Sequence, residues 1–152
     1  MPEASYRVLI VDDEADIRMI VDLNVSLAGM EFVEAEDGVD ALEKLRSEHW
    51  DGIVLDLAMP ELDGFELLRQ MRADGDIDKL GVVVLSANGH PTTAREAMEL
   101  GAHVHIAKPF SPAAIAETVR ELMSLTPEQR VARRAEMIER AGQLDRLGVK
   151  TV

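Results

Sequence analysis

The side chains best suited to chemistry each stand at or directly after the end of a short apolar run. Asp12 and Asp13 follow the first run, and Asp56 follows the third. Ser86 follows the fourth run, and Lys108 follows the fifth. If the fold brings these positions together, three carboxylates, a hydroxyl and an ammonium group meet at one place.

That combination of groups suits phosphoryl transfer. Carboxylates that converge repel one another unless a cation joins them. A small number of hard oxygen ligands suits Mg²⁺, which keeps waters and shares phosphate oxygens. A carboxylate can attack phosphorus to give an aspartyl phosphate. The transfer then needs the phosphoryl oxygens to be neutralised, and Mg²⁺, Lys108 and the Ser86 hydroxyl would supply this.

Five short apolar runs alternate along the chain with segments of helical period. Three of the runs are almost continuously aliphatic and β-branched, which is typical of strands buried on both faces. The five strands are predicted at Arg7–Val11, Phe32–Ala35, Gly52–Leu55, Val82–Leu85 and Val104–Ala107.

Strict alternation of strand and helix predicts a doubly wound parallel sheet with helices on both faces. Ligands of such sheets bind beyond the carboxyl ends of the strands. The strand order 2-1-3-4-5 would set strands one, three, four and five side by side. The five polar side chains would then share one edge of the sheet.

The helices are expected to bury one apolar stripe each. The first helix is predicted to bury Ile17, Ile20, Val21, Asn24 and Ala28. The methionines at positions 19, 71 and 98 are expected to fill the core.

Composition bounds the class of protein. A chain of 152 residues predicts one domain with a sizeable core. The net charge of −13 argues against nucleic acid or an anionic membrane as partner. The absence of cysteine excludes disulfides, thiol catalysis and cysteine-based metal sites. Without a long apolar segment or an N-terminal signal, we expect a cytoplasmic protein.

The last 27 residues differ in charge from the rest, with six bases and four acids. We therefore divide the chain into a domain at residues 1–125 and a C-terminal extension at 126–152. Thr126 and Gln129 form a capping box around Pro127, which predicts a sixth helix ending near Gly148. Its small-residue stripes are expected to dock weakly on its own domain, on a second copy or on an output protein.

Residues Arg7–Met123 strongly resemble the receiver domain of two-component response regulators, an α/β protein of flavodoxin-like fold. The resemblance rests on several motifs in the right order. They are Asp12-Asp13, Asp56-Leu57-Ala58-Met59-Pro60, Gly64, Ser86-Ala87 and Lys108-Pro109-Phe110.

The resemblance implies a role for each residue. Asp56 would accept the phosphoryl group from a histidine kinase or a histidine phosphotransfer protein. Asp13, Asp56 and the carbonyl of Ala58 would bind Mg²⁺, with Asp12 acting largely through water. Ser86 and Lys108 would contact the phosphoryl group, and the bond between Lys108 and Pro109 would be cis. The domain would then change its binding to an unknown output protein.

One position departs from the family pattern. Receivers usually carry an aromatic residue three positions before the lysine, and it moves inward when the Ser/Thr hydroxyl is drawn to the phosphoryl group. His105 stands at that place here. It would act as a switch with Ser86, or it is an exposed histidine with no such role. A metal site at His103 and His105 lacks an evident third ligand.

Two other classes of function are alternatives to the switch. A phosphohydrolase with an aspartyl nucleophile needs a second aspartate two residues after the first, and Ala58 stands there. A pure interaction module with a vestigial site would not require all five site residues.

We also expect self-association through the tail or the fourth-helix face.

Overall fold

The computed structural model describes residues 6–59, 63–75, 77–86 and 91–147, with backbone alone for residues 91, 92, 144 and 145. The strands are β1 (Arg7–Val11), β2 (Glu31–Ala35), β3 (Gly52–Asp56), β4 (Gly81–Ser86) and β5 (Val104–Ala107). The helices are α1 (Ala15–Leu27), α2 (Gly38–Ser47), α3 (Gly64–Ala73), α4 (Pro91–Glu99), α5 (Pro112–Ser124) and α6 (Pro127–Arg146).

The five strands form one sheet in the order β2-β1-β3-β4-β5, and every pairing is parallel. This confirms the predicted flavodoxin-like arrangement with an extra C-terminal helix. β3 and β4 are buried along their whole length, which explains their continuous aliphatic sequences. β2 lies at the edge and leaves most of its side chains exposed.

The core has two layers because alternate strand residues point to opposite faces of the sheet. On one face, Leu9 and Ile53 pack with Leu67 and Leu68 of α3. On the other face, residues such as Val8 and Ile10 pack with α1 and α5. Helices therefore cover both faces, as the alternation of elements predicts.

The predicted buried stripe of α1 is partly wrong. Ile20 is 45% exposed and Met19 is 63% exposed, whereas Val21, Asp22 and Val25 are buried. Apolar residues occur on more than one side of this helix, so periodicity alone cannot choose the side that meets the sheet. The other two methionines, at positions 71 and 98, are buried as expected.

Trp50 closes the end of the core opposite to the carboxyl ends of the strands. Its side chain is buried, and the indole N–H donates to the carbonyl of Lys44 at 3.0 Å. The guanidinium of Arg7 lies over the ring, 4.2 Å from its centroid, as a cation–π contact.

The C-terminal helix α6 begins with the predicted capping box. The N–H of Gln129 donates to Thr126 Oγ1, and the N–H of Thr126 donates to Gln129 Oε1. Its apolar side packs on α4: the core residue Ala141, flanked by two partly buried neighbours on α6, contacts Ala94 and Met98. The tail therefore docks on its own chain.

Two arginines of α6 add hydrogen bonds to this contact. Arg130 is buried and donates to the carbonyls of Leu122, Leu125 and Asp78. Arg134 donates to Asp78 Oδ1 at 2.6 Å and to a backbone carbonyl at 3.0 Å.

No helix in the described ranges is long and apolar enough to cross a bilayer.

Candidate functional site

Three carboxylates meet at the carboxyl ends of β1 and β3. Asp12 and Asp13 follow β1, Asp56 ends β3, and the two strands are paired. One carboxylate oxygen from each residue lies within 4.8 Å of the others. The structure thus brings together the three acids that the sequence places at separate strand ends.

Asp12 is almost fully buried, with 2% of its surface exposed. The pKa of Asp12 is raised to about 7, chiefly by burial and also by the charges of Asp56 and Asp13, while a hydrogen bond from the Glu14 N–H and the charge of Lys108 act to lower it. Its Oδ1 accepts from the Glu14 N–H at 2.9 Å, whereas Oδ2 has no hydrogen-bond partner among the described residues. A buried carboxylate oxygen without a partner, among other carboxylates, is what a divalent cation would satisfy, so the donor set fits Mg²⁺.

Asp56 is held from two sides and is 1% exposed. Its Oδ1 accepts from the N–H of Ala58 at 3.0 Å, and its Oδ2 accepts from Lys108 Nζ at 2.9 Å. Burial acts to lower the pKa of Lys108, but the hydrogen bond and the charge of Asp56 outweigh it and leave that pKa raised. Lys108 is therefore a permanent cation beside Asp56 at neutral pH.

The turn after Asp56 depends on a glycine. The N–H of Gly64 donates to the carbonyl of Leu57 at 3.0 Å. A Cβ atom on Gly64 would lie 2.5 Å from the Leu57 Cα, so a larger residue would push the turn away from α3. Asp63 then caps α3 by accepting from the Glu66 N–H. Residues 60–62 of this motif, including Pro60, lie outside the described residues.

Ser86 and His105 are in direct contact. Ser86 Oγ and His105 Nε2 are 2.8 Å apart and share a hydrogen bond whose donor depends on the histidine tautomer. Burial lowers the pKa of His105, so its ring is neutral at pH 7. Lys108 donates its backbone N–H to the Ser86 carbonyl at 2.7 Å, and its bond to Pro109 is cis. The residue after Ser86 in the motif, Ala87, lies outside the described residues.

His103 and His105 do not form a common site. His103 precedes β5, and its Nδ1 accepts from the N–H of Val82, at the start of β4, at 3.0 Å. His105 instead bonds to Ser86, at the other end of β4. His103 is fully buried, and burial lowers its pKa to about 4. It is therefore a neutral core histidine.

Sequence reasoning missed one residue next to the acidic cluster. Arg18 of α1 donates from Nη1 to the backbone carbonyl of Asp12 at 2.5 Å. Its Nε donates to Glu34 of β2 at 3.0 Å. The signal in the sequence is the position of Arg18, one helical turn after Glu14, which returns its side chain to the end of β1.

Comparison with known proteins agrees with this geometry. Residues 8–120 match the model of the response regulator receiver domain. The chain is 38% identical over 120 residues to a probable transcriptional regulator, ycf27, of Cyanophora paradoxa, covering 79% of this chain and 49% of that protein. It is 36% identical over 122 residues to the response regulator MprA of Mycobacterium ulcerans, covering 80% of this chain and 52% of that protein.

Solved structures give the same result. The receiver domain of the Francisella response regulator 1452 superposes with a TM-score of 0.75 at 29% identity, covering 79% of this chain and 98% of that one. The chemotaxis protein CheY4 of Vibrio cholerae gives 0.72 at 31% identity, covering 78% and 99%. This chain spans about half the length of the regulators named above. It belongs to the family of response regulator receiver domains.

Proposed function

We propose that this receiver domain is a phosphorylation-dependent switch and that Asp56 accepts the phosphoryl group. The observation that carries the proposal is the position of Asp56, buried among two further carboxylates with its Oδ2 2.9 Å from Lys108 Nζ. A nucleophile, a cationic neighbour and a set of hard oxygen ligands are thereby concentrated around one carboxylate. These are the groups that phosphoryl transfer to a carboxylate requires.

The donor would be a phosphohistidine on a histidine kinase or a phosphotransfer protein. A carboxylate oxygen of Asp56 attacks phosphorus, and an O–P bond forms as the P–N bond to the histidine breaks. The departing imidazole nitrogen keeps the electron pair of that bond and takes up a proton. Lys108 stabilises the negative charge on the phosphoryl oxygens, and the Ser86 hydroxyl donates a hydrogen bond to one of them.

Asp12, Asp13, Asp56 and the Ala58 carbonyl would hold Mg²⁺, with Asp12 acting largely through water. When bound, Mg²⁺ would neutralise charge on the phosphoryl group and relieve the repulsion between the carboxylates.

The exposed side of α1 offers a surface for a protein donor. Met19, Leu23 and Leu27 follow one another at four-residue spacing and are 63%, 59% and 76% exposed. α1 begins at Ala15, directly after the acidic residues, so this stripe starts beside the site. A contiguous exposed apolar stripe is typical of a binding surface. We propose that the phosphodonor protein docks there.

The other partner assignments follow from the proposal. We propose that the protein acts in the cytoplasm, that the phosphorylated form changes its binding to an output protein, and that the chain does not bind nucleic acid itself. We do not expect the protein to hydrolyse external phosphoesters. A phosphohydrolase with an aspartyl nucleophile needs an acidic residue two positions after that nucleophile, and Ala58 stands there.

Labelling with a small phosphodonor tests the assignment. Acetyl phosphate with Mg²⁺ is expected to add one phosphoryl group that is stable to acid and labile to base, detected by intact mass. Asp56→Asn should abolish the added mass. The matched control is Asp74→Asn, which removes a carboxylate that pairs with Arg46 on the surface and should be labelled normally. Labelling of Asp56→Asn to the wild-type level would contradict the assignment.

A further inference from the structure

The peptide group between Asp12 and Asp13 is held by a side chain that the proposed reaction does not use. Arg18 donates from Nη1 to the Asp12 carbonyl oxygen at 2.5 Å. That oxygen belongs to the peptide unit joining the two acidic residues. Because this unit is planar and includes the Cα atoms of both residues, holding its carbonyl oxygen restricts the backbone from which the two carboxylates extend.

Arg18 is itself held by an ion pair with an acidic residue of β2, away from the carboxylate cluster. Its Nε donates to Glu34 Oε1 at 3.0 Å, and 13% of the Arg18 side chain is exposed against 43% for Glu34. The buried carboxyl of Asp22 belongs to the same group of charges, because Glu34 and burial raise its pKa and Arg18 acts to lower it. The guanidinium therefore joins α1, β2 and the end of β1.

The remaining polar groups of Asp12 are also accounted for. Its N–H donates to the carbonyl of Ala35 at 3.3 Å, and its Oδ1 accepts from the N–H of Glu14 at 2.9 Å. With its carbonyl bound by Arg18, Asp12 has three polar groups fixed by the protein. Oδ2 has no partner in the described part of the chain, so it is left for a cation.

We propose that Arg18 is a positioning residue of the carboxylate cluster. By holding the Asp12 carbonyl against the Glu34 brace, it fixes the angle between Asp12 and Asp13 and so raises the affinity for Mg²⁺. The inference rests on the proposed function, because it concerns the same site. A guanidinium suits this role since its rigid planar fork serves a carbonyl and a carboxylate at fixed angles, whereas the donors of an ammonium group rotate freely.

The test measures Mg²⁺ affinity by calorimetry in the absence of any phosphodonor. Arg18→Gln should weaken Mg²⁺ binding about tenfold, the size typical for loss of a group that orients a metal ligand. The control is Arg46→Gln, which breaks an exposed ion pair with Asp74 and should leave the affinity unchanged.

A second measurement separates positioning from a general loss of structure. The Mg²⁺ concentration for half-maximal phosphorylation by acetyl phosphate should rise in Arg18→Gln in step with the calorimetric change. The rate at saturating Mg²⁺ should stay near the wild-type rate, because Asp56 and Lys108 are untouched. A damaged fold would instead lower the rate at every Mg²⁺ concentration.

The outcomes are distinct. If wild-type protein binds Mg²⁺ and Arg18→Gln binds it equally well, the role of Arg18 is overturned and the proposed function stands. If wild-type protein binds no Mg²⁺, the proposed function fails and this inference fails with it. Should Arg18→Gln not fold, Glu34→Ala removes the brace at an exposed position; it should also weaken binding, and an unchanged affinity would overturn the inference.

Discussion

The hydrogen bond between Ser86 and His105 connects the edge of the sheet that carries the acidic residues to the last strand, β5. Ser86 ends β4 and His105 lies on β5, and their polar atoms are 2.8 Å apart. If phosphorylation draws the Ser86 hydroxyl toward the phosphoryl group, that hydroxyl leaves the imidazole. His105 then has to find another partner, so its ring orientation is linked to the state of Asp56.

Ser86→Ala is expected to keep Asp56 able to accept a phosphoryl group while weakening the conformational response. In wild-type protein, beryllofluoride, a phosphoryl mimic, should change the ring chemical shifts of His105 measured by NMR. In Ser86→Ala the change should be much smaller, because the shared hydroxyl is gone. Ser47→Ala, at an exposed hydroxyl bonded to the Lys44 carbonyl, is the matched control. If the ring chemical shifts of His105 in wild-type protein do not change when beryllofluoride is added, His105 is not the switch.

At the scale of single elements, α6 occupies a face that would otherwise be open to other molecules. It packs on α4 through Ala141 and is fastened to Asp78 by Arg130 and Arg134. Since α4 follows β4 in the chain, α6 lies on the helix that comes next after Ser86. A partner that needs this face of α4 has to compete with α6.

Deleting residues 127–152 should leave labelling of Asp56 intact but change self-association or partner binding, because it uncovers Ala94 and Met98. Sedimentation of the phosphorylated and unphosphorylated forms measures the first effect. Arg134→Gln is a milder companion that should lower the free energy of unfolding by about 1–3 kcal/mol, the usual cost of losing hydrogen bonds to a charged group. If truncation alters neither the mass in solution nor any partner affinity, α6 is only a structural extension.

The apolar stripe on α1 gives a test that separates protein donors from small ones. Leu23→Glu introduces a charge at an exposed position and should slow phosphotransfer from a phosphorylated histidine phosphotransfer protein. Labelling by acetyl phosphate should be unchanged, because Asp56 and Lys108 are not disturbed. Val39→Glu, on the exposed side of α2, is the control for a new surface charge. Equal slowing with both kinds of donor would place the defect in the site and not in docking.

The elements show why some features could be predicted and others could not. The ends of β1, β3 and β4 could be predicted because strands buried on both faces are continuous apolar runs that stop at polar residues. Asp12, Asp13, Asp56, Ser86 and Lys108 therefore fell at one edge once the strand order was assumed. The buried face of α1 could not be predicted, since Ile20 and Val21 are equally apolar and only packing decides between them. The pairing of Arg134 with Asp78 joins residues 56 positions apart, which periodicity cannot reveal.

At the scale of the whole molecule, a buried acid outside the reactive cluster makes stability depend on pH. Burial raises the pKa of Asp22 to about 7 from 3.8, helped by its hydrogen bond to Glu34 and by the charge of that residue, with Arg18 acting against it. The folded protein thus binds more protons than the unfolded chain between these two values. The contribution of Asp22 to the free energy of unfolding therefore falls as the pH rises from about 4 to about 7, whereas the buried His103, whose pKa is lowered to about 4, contributes in the opposite direction.

Asp22→Asn should remove that loss. At pH 8 the variant is expected to be more stable than wild-type protein by about 1–3 kcal/mol, less than the full shift implies because Glu34 is exposed to solvent. Near pH 4 the two proteins should be equally stable. Urea unfolding followed by circular dichroism at several pH values measures the difference, and Asp16→Asn, at an exposed residue of the same helix, is the control. A stability difference that does not grow with pH would contradict the assignment.

The place of Trp50 has a practical consequence for optical work on this protein. It is the one tryptophan of the sequence, and its ring lies under the Arg7 guanidinium at the end of β3 opposite to Asp56. β3 itself, Gly52–Asp56, is five residues or about 17 Å long, and Trp50 precedes it whereas the proposed acceptor Asp56 ends it. Unfolding must change the fluorescence of this ring because it removes both the cation and the surrounding core. A phosphoryl group on Asp56 would lie at the other end of this strand, so we expect intrinsic fluorescence to report unfolding and to respond little to phosphorylation.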